Sequence, residues 1–184
     1  MFFFRRQWAS RCRLRQIPVP THRSKVMRQV IAFIVFFLSV FAVASVYAKT
    51  ATVVSVVDGD TIKVIDETGL TTVRLYGIDS PEKKQAYGMA AKDFTAVMVE
   101  GKMVDVSPVD TDRYGRTVAV VMLGTQCLQE QLILSGYAWV YPDYCRKLFC
   151  SAWSSLQGIS AGNRVGLWAD PVPVQPWTWR RIRR

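Results

Sequence analysis

Three β-branched, turn-bounded runs crowd into residues 50–76: Thr50–Val57, Thr61–Ile65 and Thr71–Tyr76. Such runs read as strands, and Asp66-Glu67-Thr68-Gly69 supplies a hairpin turn between the last two. The first turn is unusual. In VVDGDTIKV, residues 56–64, Asp58 and Asp60 flank a glycine that permits a bend in an otherwise apolar run. Two carboxylates are costly beside a sheet unless something there needs negative charge.

The remaining pattern completes a small β-rich domain. Met89–Val99 places Phe94, Val97 and Met98 on one helical stripe and stops at Gly101. Met103–Val106 and Thr117–Leu123 are two further strands, separated by the polar loop Asp110–Arg116. Leu128–Leu134 reads as a short helix, Tyr137–Tyr141 as extended, and Ala152–Val165 as a weaker helix interrupted by Gly158 and Gly162. The expected class is α+β, mainly β: a five-stranded OB-type barrel with about three flanking helices. Prolines 171, 173 and 176 among Trp168, Trp177 and Trp179 make residues 171–184 an expected extended arm.

The formal charge of +10 is a poor guide to partners because it is unevenly placed. Residues 1–48 hold eight Lys/Arg and no acid, and the tail holds Arg180, Arg181, Arg183 and Arg184. Residues 49–179 then carry 12 bases against all 14 acids, so any case for nucleic acid must come from local sites.

The basic leader precedes the charge-free stretch VIAFIVFFLSVFAVASVYA, residues 30–48. Residues 1–48 are expected to be a signal peptide, with Met27 as an alternative start and cleavage after Ala48 or Ala44. The localisation expected is periplasmic or secreted. The rival reading is an anchor formed by residues 30–48, long enough to span a bilayer. Export makes a disulfide expected, with Cys145 and Cys150 the better pair and Cys127 left over. The sole histidine, His22, lies in the leader. That excludes histidine-dependent nuclease, triad and His-rich zinc chemistry from residues 49–184.

GIDSPE, residues 77–82, adds Asp79 and Glu82 just after the third strand. Asp60, Asp79 and a nearby backbone carbonyl make a partial shell for a hard, oxygen-seeking cation. Arg74 is a lone charge inside the third strand, and TDRYGR delivers Arg116. Arginine grips phosphate through a planar fork. A cation, a free carboxylate and two arginines are the parts needed to attack a phosphodiester.

VVDGDTIKV, VRLYGIDSPE, the helix of 87–94, TDRYGR, LILSGYAWVY and VGLW occur in an order and spacing that resemble the staphylococcal nuclease (thermonuclease) family over roughly residues 50–170. The resemblance implies an OB-type barrel, a nuclease-like domain over 49–170, and Ca²⁺-dependent cleavage of DNA and RNA. It implies Asp60, Asp79 and the carbonyl of Ser80 as metal ligands. Glu82 resembles the family's general base, and Arg74 and Arg116 its phosphate-binding arginines. Asp58 is implied as a supporting acid or as a turn former. Arg113 and Tyr114 fall where the family loop meets a terminal phosphate, and Tyr141 and Tyr144 near its base-stacking tyrosines. The expected protein is therefore an exported calcium-dependent nuclease acting on DNA or RNA, a monomer with no obligate protein partner. The alternative is a non-catalytic OB-type nucleic-acid-binding module, anchored if residues 30–48 remain in the membrane.

Overall fold

A computed structural model describes residues 48–183 together with Met27 and Gln29. The rest of the leader and the apolar stretch 30–47 lie outside the described residues. Among the described residues no helix is long and apolar enough to cross a membrane.

The chain runs β1 (Lys49–Asp58), β2 (Thr61–Asp66), β3 (Gly69–Leu75), β4 (Ile78–Asp79), α1 (Gly88–Val99), β5 (Met103–Thr111) and β6 (Thr117–Leu123). It continues through β7 (Gln126–Cys127), α2 (Leu128–Leu134), β8 (Trp139–Val140), α3 (Cys150–Gly162), a 3₁₀ turn at Gly166–Ala169 and α4 (Pro176–Ile182). Strands β3-β2-β1-β5-β6 form the barrel, which closes where β3 pairs in parallel with β6. Closure leaves no free edge among these five strands. The expected five-stranded OB-type barrel is present, and residues 48–183 add four α-helices where about three are expected.

Alternation drives the barrel. Val53, Ile62, Val73, Leu75, Val104 and Val121 point inward and are almost wholly buried. Each such side chain contributes roughly 1.5–3 kcal/mol when fully buried. The hairpin turn forms as expected, with Asp66 Oδ1 accepting from the Thr68 N–H at 2.7 Å and its hydroxyl at 2.6 Å. Pro108 lies within β5, which runs five residues beyond the expected Val106. The proline is tolerated because β1 pairs with β5 only between Met103 and Val106, so no β1 partner needs its missing N–H.

Two details differ from the sequence reading. Helix α1 packs Phe94 and Met98 of the expected stripe against the core, but Val97 is 78% exposed and the fully buried face is made by the helix's own Ala91, Thr95 and Val99. The arm is not wholly extended: Pro176 occupies the first turn of α4, where a missing N–H and a fixed φ cost nothing.

Cys145 and Cys150 are disulfide-linked at the entry to α3, and Cys127 is buried and free. The bridge packs on Gly77, where a Cβ would lie 2.7 Å from Cys145 Sγ.

Candidate active site

The acidic turn after β1 is held from three directions. Asp58 Oδ1 accepts the Asp60 N–H at 3.2 Å, the Asx geometry of a turn-forming acid. The Asp60 carbonyl accepts the Leu75 N–H of β3 at 2.8 Å. From α1, the buried Thr95 hydroxyl donates to the Gly59 carbonyl at 2.7 Å. The β1–β2 register also slips between Val56 and Asp58, a bulge that re-aims the chain just before Asp60. Gly59 is required by proximity rather than by a bend, because a Cβ there would fall 2.7 Å from Ser80 Cβ and 2.8 Å from Ala91 Cβ.

This framework brings Asp60, Asp79, Ser80, Glu82 and Arg74 together. Asp60 and Asp79 are 1% and 0% exposed. Arg74 spans them, one terminal nitrogen on Asp60 Oδ1 and the other 2.6 Å from Asp79 Oδ1. Asp60 Oδ2 accepts the Ser80 backbone N–H at 2.7 Å. Burial pushes the Asp60 carboxyl well above the usual carboxylate range; Arg74 opposes this, and the neighbouring charges of Asp58 and Asp79 add to it. The charged form is thus under-compensated by the protein alone.

Glu82 sits on the loop between β4 and α1. Its backbone N–H donates to Gln85 Oε1 at 3.2 Å, and the Glu82 carbonyl accepts the Gln85 N–H at 2.7 Å. Gly88 lets the helix start close beneath, since a Cβ there would lie 1.9 Å from the Glu82 carbonyl oxygen.

Arg116 is placed differently. Its backbone N–H and its Nε bond the two Asp112 carboxylate oxygens at 3.0 and 2.7 Å. No hydrogen bond links it to the buried carboxylates among the described residues. Arg74 is in register with Val118 on β6, and Arg116 ends the loop two residues before Val118. Arg113 donates to the Tyr114 hydroxyl at 2.8 Å, and Tyr114 is 68% exposed at the loop tip. Among the described residues neither makes a hydrogen bond to Asp60, Asp79 or Glu82. Tyr141 stacks on Trp177, their rings 4.6 Å apart and 9° from parallel, while Tyr144 packs edge-on against Tyr141. Burial and the Asp79 charge push the Tyr141 hydroxyl up.

One site residue escaped the sequence reading. Arg180 of α4 bonds Asp79 at 3.2 Å (Oδ1) and 2.7 Å (Oδ2), and Glu82 Oε1 at 2.7 Å. Its one sequence signal is a proline followed by a helix-compatible WTWRRI, which fits a capped helix as well as an arm.

The site fits a hard divalent cation in ligand type: Asp58, Asp60, Asp79 and Glu82 gather carboxylate oxygens there, with Arg74 and Arg180 as their ion-pair partners. The buried Ser80 hydroxyl lacks a hydrogen-bond partner, an orphaned oxygen in the residue whose N–H is held by Asp60. Among the described residues no three acidic, histidine or cysteine side chains form a cage, so backbone, water and substrate oxygens would complete the shell.

The family model described as "Staphylococcal nuclease homologue" matches residues 72–170. The chain is 37% identical to an uncharacterized endonuclease of Escherichia coli, over 84% of this chain and 98% of that one. It is 34% identical to a micrococcal nuclease of Shigella flexneri, over 86% and 94%. Protein ParB of Escherichia coli is 39% identical over 70% of this chain and 77% of its own. With the closed barrel, these similarities place the chain in the staphylococcal nuclease family.

Proposed function

We propose that this protein is an exported, Ca²⁺-dependent nuclease that hydrolyses phosphodiester bonds of DNA, RNA or both and acts as a monomer. The observation that carries the reading is the buried Asp60–Asp79 pair spanned by Arg74 at one end of the barrel. Its relatives named as nucleases add support, and the basic leader with its apolar run supports export.

Asp60, Asp79 and the Ser80 carbonyl are the groups that would hold Ca²⁺. When bound, the ion supplies positive charge against the negative charge that develops on the phosphoryl oxygens. Glu82, whose side chain is 41% exposed, is reachable by water and accepts a proton from the attacking water. Arg74 and Arg116 present charge-assisted donors to the phosphate. Asp112 engages only Nε of the Arg116 side chain, which leaves both terminal nitrogens without a hydrogen bond among the described residues. Arg113, Tyr114 and the hydroxyl end of Tyr141, whose ring packs on Trp177 and Tyr144, are proposed to contact flanking nucleotide groups.

The test is cleavage of plasmid DNA and of RNA by purified protein in Ca²⁺, in EDTA, and in EDTA with Ca²⁺ restored. The reading predicts cutting in the first and third conditions only. Equal cutting in EDTA, or none in any condition, removes it, and the second of these favours the binding module.

A further inference from the structure

We propose that α4 forms a wall of the substrate groove, with Arg180 a phosphate-facing arginine that also positions Glu82 and Asp79, and Trp179 and Arg183 contacts for a single nucleic-acid strand. This rests on the nuclease reading above and extends it to a segment outside the matched residues 72–170.

A cleft of about 510 Å³ opens beside Glu82 and Asp58. Trp179, Arg180 and Arg183 of the C-terminal segment line one part of it, and Lys83 and Lys84 another. Four cations and an aromatic around two carboxylates suit a phosphodiester backbone with a base to stack. The Arg183 guanidinium lies 4.6 Å from the Trp179 ring centre, a charge–aromatic pair on the cleft wall.

The segment is fastened as part of the fold. Gln85, which receives the Glu82 N–H, donates through Nε2 to the Val174 carbonyl at 2.6 Å. Pro176 is buried, and Trp177 lies flat on Tyr141 and edge-on to Trp139. Trp177 therefore covers a Tyr141 face that a base could otherwise use, and Trp179 is the cleft's own aromatic.

Exposure separates this role from that of a plug. The Arg180 side chain is 38% exposed and lines the open cleft while it braces Asp79.

The experiment compares full-length wild type with Arg180→Gln, Arg183→Gln, Trp179→Ala and Arg180→Lys. Fluorescence anisotropy of a labelled single-stranded oligonucleotide is measured in EDTA over a salt series, and cleavage in Ca²⁺ alongside. Each arginine-to-glutamine change is expected to weaken binding and lower the log–log salt slope by about 0.7, as for one phosphate contact on a single strand. Trp179→Ala should weaken binding at least about fivefold, the low end for lost base stacking. Arg180→Gln should also lower kcat, with partial recovery of binding in Arg180→Lys. Wild-type cleavage with unchanged binding and slopes in all variants overturns the groove and leaves the nuclease reading standing. Faster cleavage by Arg180→Gln overturns it in favour of an inhibitory plug. A wild type that never cuts in Ca²⁺ fails the nuclease reading itself.

Discussion

Arg180 holds both oxygens of Asp79, at 3.2 and 2.7 Å, from 101 residues further along the chain. With Arg74 on the other side, Asp79 is compensated by two guanidinium groups. Asp60 has one, and its burial outweighs it. The two buried carboxylates are therefore energetically unlike.

That asymmetry predicts opposite effects of two equal substitutions. Asp60→Asn removes an under-compensated buried charge and should raise the melting temperature in EDTA while abolishing stabilisation by Ca²⁺. Asp79→Asn should lower it, because two arginines lose their shared partner. The loss stays below the about 3–5 kcal/mol of a fully buried broken pair, since Arg180 is 38% exposed and can rehydrate. Melting curves with and without Ca²⁺ decide this, and an Asp60→Asn protein less stable than wild type in EDTA would count against it.

Gly59→Ala should cost about 1–3 kcal/mol, the range for overpacking. The new methyl would press on Ser80 and Ala91, whose Cβ atoms stand 2.7 and 2.8 Å from its position. Because the Ser80 N–H orients Asp60, the response to Ca²⁺ should weaken as well. Urea denaturation in EDTA and in Ca²⁺ reads both effects. A variant as stable as wild type would show that the contact is readily relieved.

Asp112→Asn tests how Arg116 is held. Burial alone would raise the Asp112 carboxyl, but hydrogen bonds from the Arg116 N–H, its guanidinium and the Tyr114 N–H outweigh that and lower it. A lowered acid contributes stability that is full above its unfolded value near 4 and lost as pH falls through the folded value. The variant should be less stable than wild type at pH 7, and the difference should shrink below about pH 4. With Arg116 loosened, turnover should fall by up to about 10²-fold. A stability gap that does not change with pH would contradict this account.

The barrel was legible because its strands carry period-two, β-branched patterns between strong turns, and β6 and α2 fall where the pattern puts them. The two-residue strands β4 and β7 are too short to carry a period. On α1 the pattern places Phe94 and Met98 correctly and Val97 wrongly, because the closest approach to the β1 turn is made by the small Ala91 and by Thr95. Arg74 was legible as a charge set in a strand, and Asp60 and Asp79 as acids at the ends of apolar strands. Arg180 was not, because its meaning depends on a contact across 101 residues and on a helix that starts at Pro176 within a proline-rich tail. Tyr141 could be placed near the site, but its partner Trp177 could not be read from spacing.

The most direct test of the central claim measures turnover and Ca²⁺ response together in Glu82→Gln. An amide keeps the shape of Glu82 and cannot take a proton from water. The account predicts a kcat about 10²–10⁴-fold below wild type, with Ca²⁺-dependent stabilisation and oligonucleotide binding retained. Wild-type turnover in that variant would contradict the assignment of Glu82, and loss of Ca²⁺ response in step with turnover would make it a metal ligand rather than a base.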